Sequence, residues 1–357
     1  RFMTTVTYPY DEQTQNWTST SSYPNTKLKP ERTKSWEVGL DARILNDISL
    51  NLTYYRSNTY NQTFYADLSL SSGYSNIPIQ SGNIMNEGIE MALGYNKQWK
   101  DFSFNTNYTL TWNKNRVKRL ADGVYNYATG QSIQMPELSP LTYGHTDARL
   151  ILRVGGSMGD VYGQRLLKRD LNGYILNEEG VGLTMENKET YLGSILPKMN
   201  MGWSLGFGYK GVNLGMTFTG RFGGIVISET QSVLDAAGVS KVSADVRDAG
   251  GVQINQGKVS AQTYYQAIQG TAAYYTYSAT NVRLGELSLS YTLPKKWFDN
   301  KVGMTVGLVG KNLWMIYCKA PFDPELTTSA ASNFYQGFDA YMLPSTRNFG
   351  FNIKFQF

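Results

Sequence analysis

The chain has 357 residues, 41% hydrophobic and 17% charged, with a formal net charge of +5 at pH 7. A single cysteine, Cys318, excludes an intrachain disulfide framework, and short scattered lysine and arginine groups argue against a nucleic-acid partner. No run approaches the roughly 20 apolar residues of a membrane helix, although barrel strands carry only half such a pattern.

Residues 1–32 read as an external loop region, with Arg1 opening in mid-sequence and no secretory leader before it. Period-two alternation then begins. In SWEVGLDARI, Trp36, Val38, Leu40, Ala42 and Ile44 face away from Glu37, Asp41 and Arg43. DISLNLTY and GIEMALGY follow, and DFSFNTNYTLTW sets Phe102, Phe104, Tyr108, Leu110 and Trp112 against Ser103, Asn105, Asn107, Thr109 and Thr111. ARLILRV near residue 150, MGWSLGFGY, VNLGMTFTG, GELSLSYTL and KVGMTVGLVG continue the series. The last strand, RNFGFNIKFQF, puts Phe349, Phe351, Ile353, Phe355 and Phe357 on one side. A period of two through so many segments predicts an all-β protein, and no convincing amphipathic helix competes with it.

The connections choose the architecture. Short ones at 45–47, 97–101, 209–211 and 294–301 alternate with long ones at 61–86, 157–200, 222–280 and 312–346. A soluble sandwich has loops of comparable length at both ends, whereas a transmembrane barrel has short turns on one side and long loops on the other. Tyr54, Tyr55, Trp112, Tyr209, Trp297 and Trp314 fall near strand ends, where a membrane interface holds aromatic rings. The expectation is an antiparallel transmembrane β-barrel.

Assigning the short turns to the periplasm gives each strand a direction. Strands 101–114 and 145–155 then both run outward, so an inward strand is expected near Tyr127 to Met135. The total becomes eleven, the later half of a 22-stranded barrel with a plugged lumen. Residues 33–357 are assigned to this C-terminal part, and the plug domain is absent from the sequence. Gly39, Gly94, Gly202, Gly206, Gly208 and Gly215 lie opposite the lipid-facing residues, where they either bend the strand or admit another body against the wall.

Several segments, in order, resemble the SusC/RagA-type TonB-dependent transporters. They are KPERTKSWEVGLDARILNDISLNLTYY, GSILPKMNMGWSLGFGYKGVNLGMTFTGRFGG, ATNVRLGELSLSYTLP and GKNLWMIYCKAPFDPE. The last places Asn312, Leu313, Trp314, Asp323, Pro324 and Glu325 on the family's Asn-Leu and Asp-Pro-Glu pattern; Cys318 departs from it without affecting the fold. The resemblance implies an N-terminal plug, a TonB-interacting segment, a SusD-type surface lipoprotein as lid, and a dimer of heterodimers. It also implies glycans or peptides as substrates, and makes Phe357 similar to the signal read during barrel assembly.

Enzymatic chemistry has no support in the residues. His145 is the only histidine, read as a turn or wall residue, and without a second histidine or cysteine a tetrahedral zinc site has no ligands. No cofactor is expected. Asp323, Pro324 and Glu325 read as a structural loop rather than a calcium site, and Glu178 and Glu179 as a solvated loop. Selectivity is assigned to lumen-facing polar residues and long loops. The candidates for substrate or lid contact are Tyr264, Tyr265, Tyr274, Tyr275, Tyr277, Asn333, Phe334, Tyr335, Gln336 and Phe338, since amphipathic aromatics serve sugar, peptide and protein surfaces alike. Arg283 is expected to pair with Glu286 or a plug carboxylate. The alternatives to energised import are a passive porin and a non-transporting assembly component.

Overall fold

The computed structural model describes residues 29–67, 76–120, 137–179, 181–299, 301–326 and 333–357, with short pieces at 10–11, 16–17, 124–126, 131–133 and 328. Among these, nine antiparallel strands make one sheet in which chain neighbours are sheet neighbours. They are β1 (Arg32–Ile44), β2 (Ile48–Asp67), β3 (Asn76–Trp99), β4 (Phe102–Arg119), β5 (Met199–Tyr209), β6 (Val212–Phe222), β7 (Asn281–Thr292), β8 (Gly303–Cys318) and β9 (Asn348–Gln356).

Register turns the alternation of each strand into rows across the sheet. One row runs Ala42, Leu50, Leu93, Tyr108, Trp203, Phe218, Leu284 and Trp314. A row of the other face runs Arg43, Ser49, Gly94, Asn107, Ser204, Thr217, Glu286, Lys311 and Asn348. Between the strand ends one face is therefore almost wholly apolar and the other polar. The apolar face is open: Val38 is 66% exposed, Leu40 54% and Phe351 65%. Water does not tolerate a contiguous apolar surface of this extent, but lipid does. On β4 the uncharged outward positions run from Phe102 to Trp112, about 33 Å of strand at ~3.3 Å per residue, or about 25 Å of height after a ~40° tilt. That height matches the apolar band of an outer-membrane barrel.

The expected alternation of connections holds. Short turns join β1 to β2, β3 to β4 and β5 to β6, and a short 3-10 segment (Lys295–Phe298) joins β7 to β8. The count of eleven does not hold for the described wall, which has nine strands. The reason is direct: β4 pairs with β5 from Trp112↔Met199 to Phe102↔Tyr209, so no strand lies between them. The expected strand near 127–135 lies largely outside the described residues. The strand expected at 145–155 exists as Arg149–Arg153 but belongs to a separate four-stranded sheet with Glu137–Thr142, Asp160–Leu167 and Met185–Ser194. The expected loop at 61–86 is also shorter, because β2 and β3 continue as a long hairpin past the membrane band.

Helices occur where none was expected: α1 (Glu229–Ala236), α2 (Lys241–Asp248) and α3 (Ala261–Ile268). Each is two turns long and starts on a serine, Ser228, Ser240 or Ser260, whose hydroxyl accepts from the N–H three residues on. These capping serines were the available signal; two turns are too few for helical periodicity to stand out.

The long connections fold into one external body. Its larger core joins Leu138, Tyr143, Leu150, Leu152 and Val161 with Ile227, Ala272 and Phe338, and adds Ile84 of β3 and Val117 of β4. A small sheet ties two connections together: Ile225–Ser228 lies between Thr276–Ser278 and Phe338–Asp339, parallel to the latter. Ile84 and Val117 belong to the polar, inward face, so the body is rooted inside the rim of the wall.

Candidate functional site

The inward face begins with small and amide side chains at close quarters. Gly94, Gly202, Gly206, Gly208 and Gly215 on it each leave a space that a neighbouring strand's polar side chain occupies. A Cβ at Gly94 would stand 2.6 Å from Ser49 Oγ, one at Gly206 2.6 Å from Asn105 Oδ1, and one at Gly215 2.6 Å from Ser288 Oγ. The body admitted against the wall by these glycines is the adjacent strand's own side chain. Tyr55 uses the same device. It is not on the aromatic girdle, as its place near a strand end suggested, but on the inward face opposite Gly88, from where its hydroxyl donates to Asn113 Oδ1 at 3.0 Å.

A side chain at Gly88 meets both Tyr55 Oη at 2.7 Å and the carbonyl oxygen of Trp112. Gly88→Val should therefore displace Tyr55 and lower the stability of the full-length barrel by about 1–3 kcal/mol. Thermal unfolding in detergent measures this, and an unchanged midpoint would refute the packing described.

At the external end of β7, Arg283 faces inward and reaches the 319–347 connection. Its Nη2 lies 2.8 Å from Asp323 Oδ1 and 3.2 Å from Glu325 Oε2, and its Nη1 donates to Asp323 Oδ2 at 3.0 Å. Asn281 Oδ1 accepts from the same guanidinium at 3.2 Å. The expected partner Glu286 instead pairs with Lys311 at 3.6 Å. The two side chains of the main pair are nearly enclosed, 11% exposed for Arg283 and 8% for Asp323. Pro324 is fully buried beside them, and the Glu325 N–H donates back to Asp323 at 3.1 Å. Nearby, a bulge at Gly285 lies opposite two extra residues, Asn312 and Leu313, with Asn312 at φ 53°. The motifs Val-Arg-Leu, Asn-Leu and Asp-Pro-Glu thus meet at one place, where the wall bends and the loop is tied to it.

Burial raises the Asp323 carboxyl, but the hydrogen bonds from Arg283 and the Glu325 N–H outweigh it and hold the group below its ordinary 3.8. A carboxyl with a depressed folded value contributes stability that is present above its unfolded value and lost as pH falls through the folded one. Protection of 319–347 against protease should therefore fall as the pH drops below 3.8, and Asp323→Asn should remove that component. Identical pH profiles for the two proteins would contradict the assignment.

The tyrosine candidates form the second core of the external body, around α3. Tyr265 is 5% exposed and Tyr275 2%, packed with Leu167, Ile175, Ile254 and Ile268. Tyr264, Tyr274 and Tyr277 are half-buried against the same cluster. Burial pushes the Tyr264 and Tyr277 hydroxyls up to about 12 and raises Tyr275 further. Tyr274 Oη accepts from the Leu167 N–H at 3.0 Å. Direct contact by Tyr265 and Tyr275 with a nutrient or a lid is corrected by this burial: they hold the body's shape. Asn333, Phe334, Tyr335 and Gln336 lie in a 3-10 turn (Asn333–Gly337) leading to Phe338. Tyr143 Oη donates to the Phe334 carbonyl at 2.8 Å, and Tyr335 packs edge-on against Tyr143. Phe338, 3% exposed, is a core residue of the body and not a contact surface, whereas Gln336 is exposed. Phe357, at the end of β9, is 99% exposed beside the apolar face.

Residues passed over in the sequence hold this mouth together. Asp147 Oδ1 accepts from the Ala272 N–H at 2.6 Å and its Oδ2 from the Gln164 N–H at 3.2 Å, joining two connections. Buried Ser228 caps α1 and donates to Asp339 Oδ2 at 2.6 Å, joining the second connection to the third. Buried Glu229 accepts from the His145 N–H at 3.4 Å and from Tyr341 Oη at 3.3 Å, so His145 stands in a turn of the body and not in the wall. A buried carboxylate without local apolar periodicity leaves no mark in a sequence. Among the described residues, no three His, Cys, Asp or Glu side chains converge as a metal site does.

An open antiparallel wall, lipid-facing without and polar within, with its long connections gathered at one end, defines part of an outer-membrane β-barrel. The comparisons specify which kind. Residues 4–313 match the family described as TonB dependent receptor-like, beta-barrel, and the chain belongs to that family. It is 25% identical over 96% of its length to TonB-dependent receptor P3 of Formosa agariphila, covering 36% of that protein. It is 29% identical over 32% of its length to the TonB-dependent receptor SusC of Bacteroides thetaiotaomicron, covering 12% of SusC. The RagAB peptide transporter superposes with a TM-score of 0.69 at 19% identity, over 98% of this chain and 38% of that one. At that identity the likeness concerns the fold. The chain is thus a barrel segment of a TonB-dependent receptor-like protein of the outer membrane, and it spans about a third of the length of the curated relatives P3, P26 and P39.

Proposed function

We propose that this chain supplies the C-terminal wall and much of the external mouth of a receptor that imports a bulky nutrient, peptide or oligosaccharide, across the outer membrane with energy delivered through TonB. The observation that carries the reading is the single body made by the long connections and rooted on Ile84 and Val117 inside the rim. In this reading such a body narrows the mouth of the complete barrel, which would suit capture followed by gated entry more than free diffusion. Family membership supports TonB as the energy source. The solved relative is described as a peptide importer in closed-closed and open-open states, which favours peptide; the likeness to SusC keeps oligosaccharide as the other class.

The partner in this reading is a SusD-type surface lipoprotein, with the pair assembling as a dimer of heterodimers. Its contact falls on apolar side chains left open on the body: Val239 is 69% exposed, Val242 51%, Tyr341 60% and Leu343 84%. Val239→Asp with Val242→Asp should weaken co-purification of the lipoprotein roughly tenfold or more, as loss of an interface anchor does.

The decisive experiment isolates the full-length receptor with its partners and identifies bound material by mass spectrometry, alongside uptake in cells with and without TonB. A mixed peptide population or a defined oligosaccharide, with uptake abolished without TonB, is the expected result. Uptake that persists without TonB would identify a passive porin. Neither cargo nor uptake would leave an assembly component.

A further inference from the structure

The outward face of β1 to β4 changes chemistry abruptly at one level. Through the apolar band its outward positions carry no charge, from Ile44 up to Trp36, from Ile48 to Tyr54, from Tyr95 to Ile89 and from Phe102 to Trp112. The next outward row toward the external end is Arg56, Glu87 and Lys114, cross-strand partners in sequence. The row above it holds Lys34, Asn58, Met85 and Arg116, and Arg32 stands opposite Tyr60 beyond that. Five cations, Arg32, Lys34, Arg56, Lys114 and Arg116, thus share this level with one carboxylate, Glu87, and with a sixth cation, Arg119, which stands opposite Asn83 in the row of Arg32 and Tyr60.

Among the described residues none of the five enters an ion pair. At the opposite end of the same face, by contrast, outward-facing Lys97 is paired with Asp47. A hollow of about 400 Å³ opens within the patch, lined by Lys29, Pro30, Arg32, Lys34, Tyr60 and Asn61. From β1 to β4 the patch is about 14 Å wide, at ~4.8 Å per strand. It lies directly beyond the level of Tyr54 and Trp112, where lipid headgroups meet a barrel.

Unpaired cations on the lipid side of a wall, one step above the apolar band, match the negative charge of a headgroup whose acyl chains lie on the band below. We propose that the outward face of β1 to β4 is a binding site for a phosphate-bearing lipid of the outer leaflet. The phosphates sit among Lys34, Arg56, Lys114 and Arg116. The acyl chains run down over Leu40, Leu52, Met91 and Leu110. The hollow at Lys29, Arg32 and Tyr60 receives the part of the headgroup furthest from the membrane. Glu87, between Arg56 and Lys114, limits how much anionic charge the lower row accepts. The inference depends on the wall's orientation in the outer membrane and not on what the receptor imports.

The test uses the full-length receptor in nanodiscs, with native mass spectrometry reading retained lipid. The probes are diphosphoryl lipid A and the same lipid stripped of its phosphates. The expected result is retention of the phosphorylated form only, with Lys34→Gln, Arg56→Gln, Lys114→Gln and Arg116→Gln together reducing it roughly tenfold or more. Lys97→Gln, at the other end of the face, should leave retention unchanged. Equal retention of the two lipids by the unmodified receptor would overturn the proposal, even if the fourfold variant failed to insert. Equal retention by a properly inserted fourfold variant would overturn it too. Displacement of the lipid by millimolar inorganic phosphate would show a free-anion site instead.

Discussion

Replacing Arg283 by methionine should release the 319–347 connection from the wall while leaving the wall itself inserted. The substitution leaves Asp323, 8% exposed, as a buried carboxylate without its counter-charge. Breaking a buried pair from one side costs about 3–5 kcal/mol. That cost falls on the docking of the connection, because β7 keeps its register with β6 and β8 through backbone bonds that Arg283 does not supply. Hydrogen exchange should therefore rise across 319–347 and around Phe338, whose strand pairs in parallel with Ile225–Ser228. Replacing both partners, Arg283→Met with Asp323→Leu, should restore much of the protection, since no charge is then stranded. Unchanged exchange in the single variant would show that the connection is held by its apolar contacts alone.

Leu205→Arg and Ser204→Arg, one residue apart, should behave as if they belonged to different proteins. Leu205 faces outward at the middle of β5, with Thr106 and Met216 beside it. Ser204 faces inward between Asn107 and Thr217. A cation on the lipid face of a barrel near the midplane costs about 2–4 kcal/mol, while the lumen side accepts one at little cost. The outward variant should be depleted from the outer membrane and lose stability in detergent, and the inward one should fold and insert normally. Equal behaviour would refute the assignment of lipid to the apolar face, and with it the outer-membrane reading.

Much of this was written locally. Alternation such as that of Phe102 to Trp112 depends only on the two-residue period of a strand, so class, face and most wall strands were legible from residue to residue. Long-range pairing was not. Arg149–Arg153 alternates like a wall strand yet pairs with Glu137–Thr142 and Asp160–Leu167, and the pattern is the same wherever such a strand docks. That is why it was counted into the wall. The tyrosines of α3 and its neighbourhood misled for a related reason: composition shows that a ring is amphipathic but not whether Ile175 and Ile254 close over it.

The sequence by itself determined an antiparallel wall with a lipid side and a wet side, the alternation of short and long connections, and the motifs of the family. These follow from periodicity and turn spacing, which act over a few residues. Only the tertiary structure decided that the long connections fold into one body, that Arg283 is answered by Asp323 and Glu325, and that five cations gather on one side of β1 to β4. Those outcomes depend on which distant segments become neighbours, and a pairing forty residues apart in the chain is fixed by register and burial, not by anything either segment carries alone.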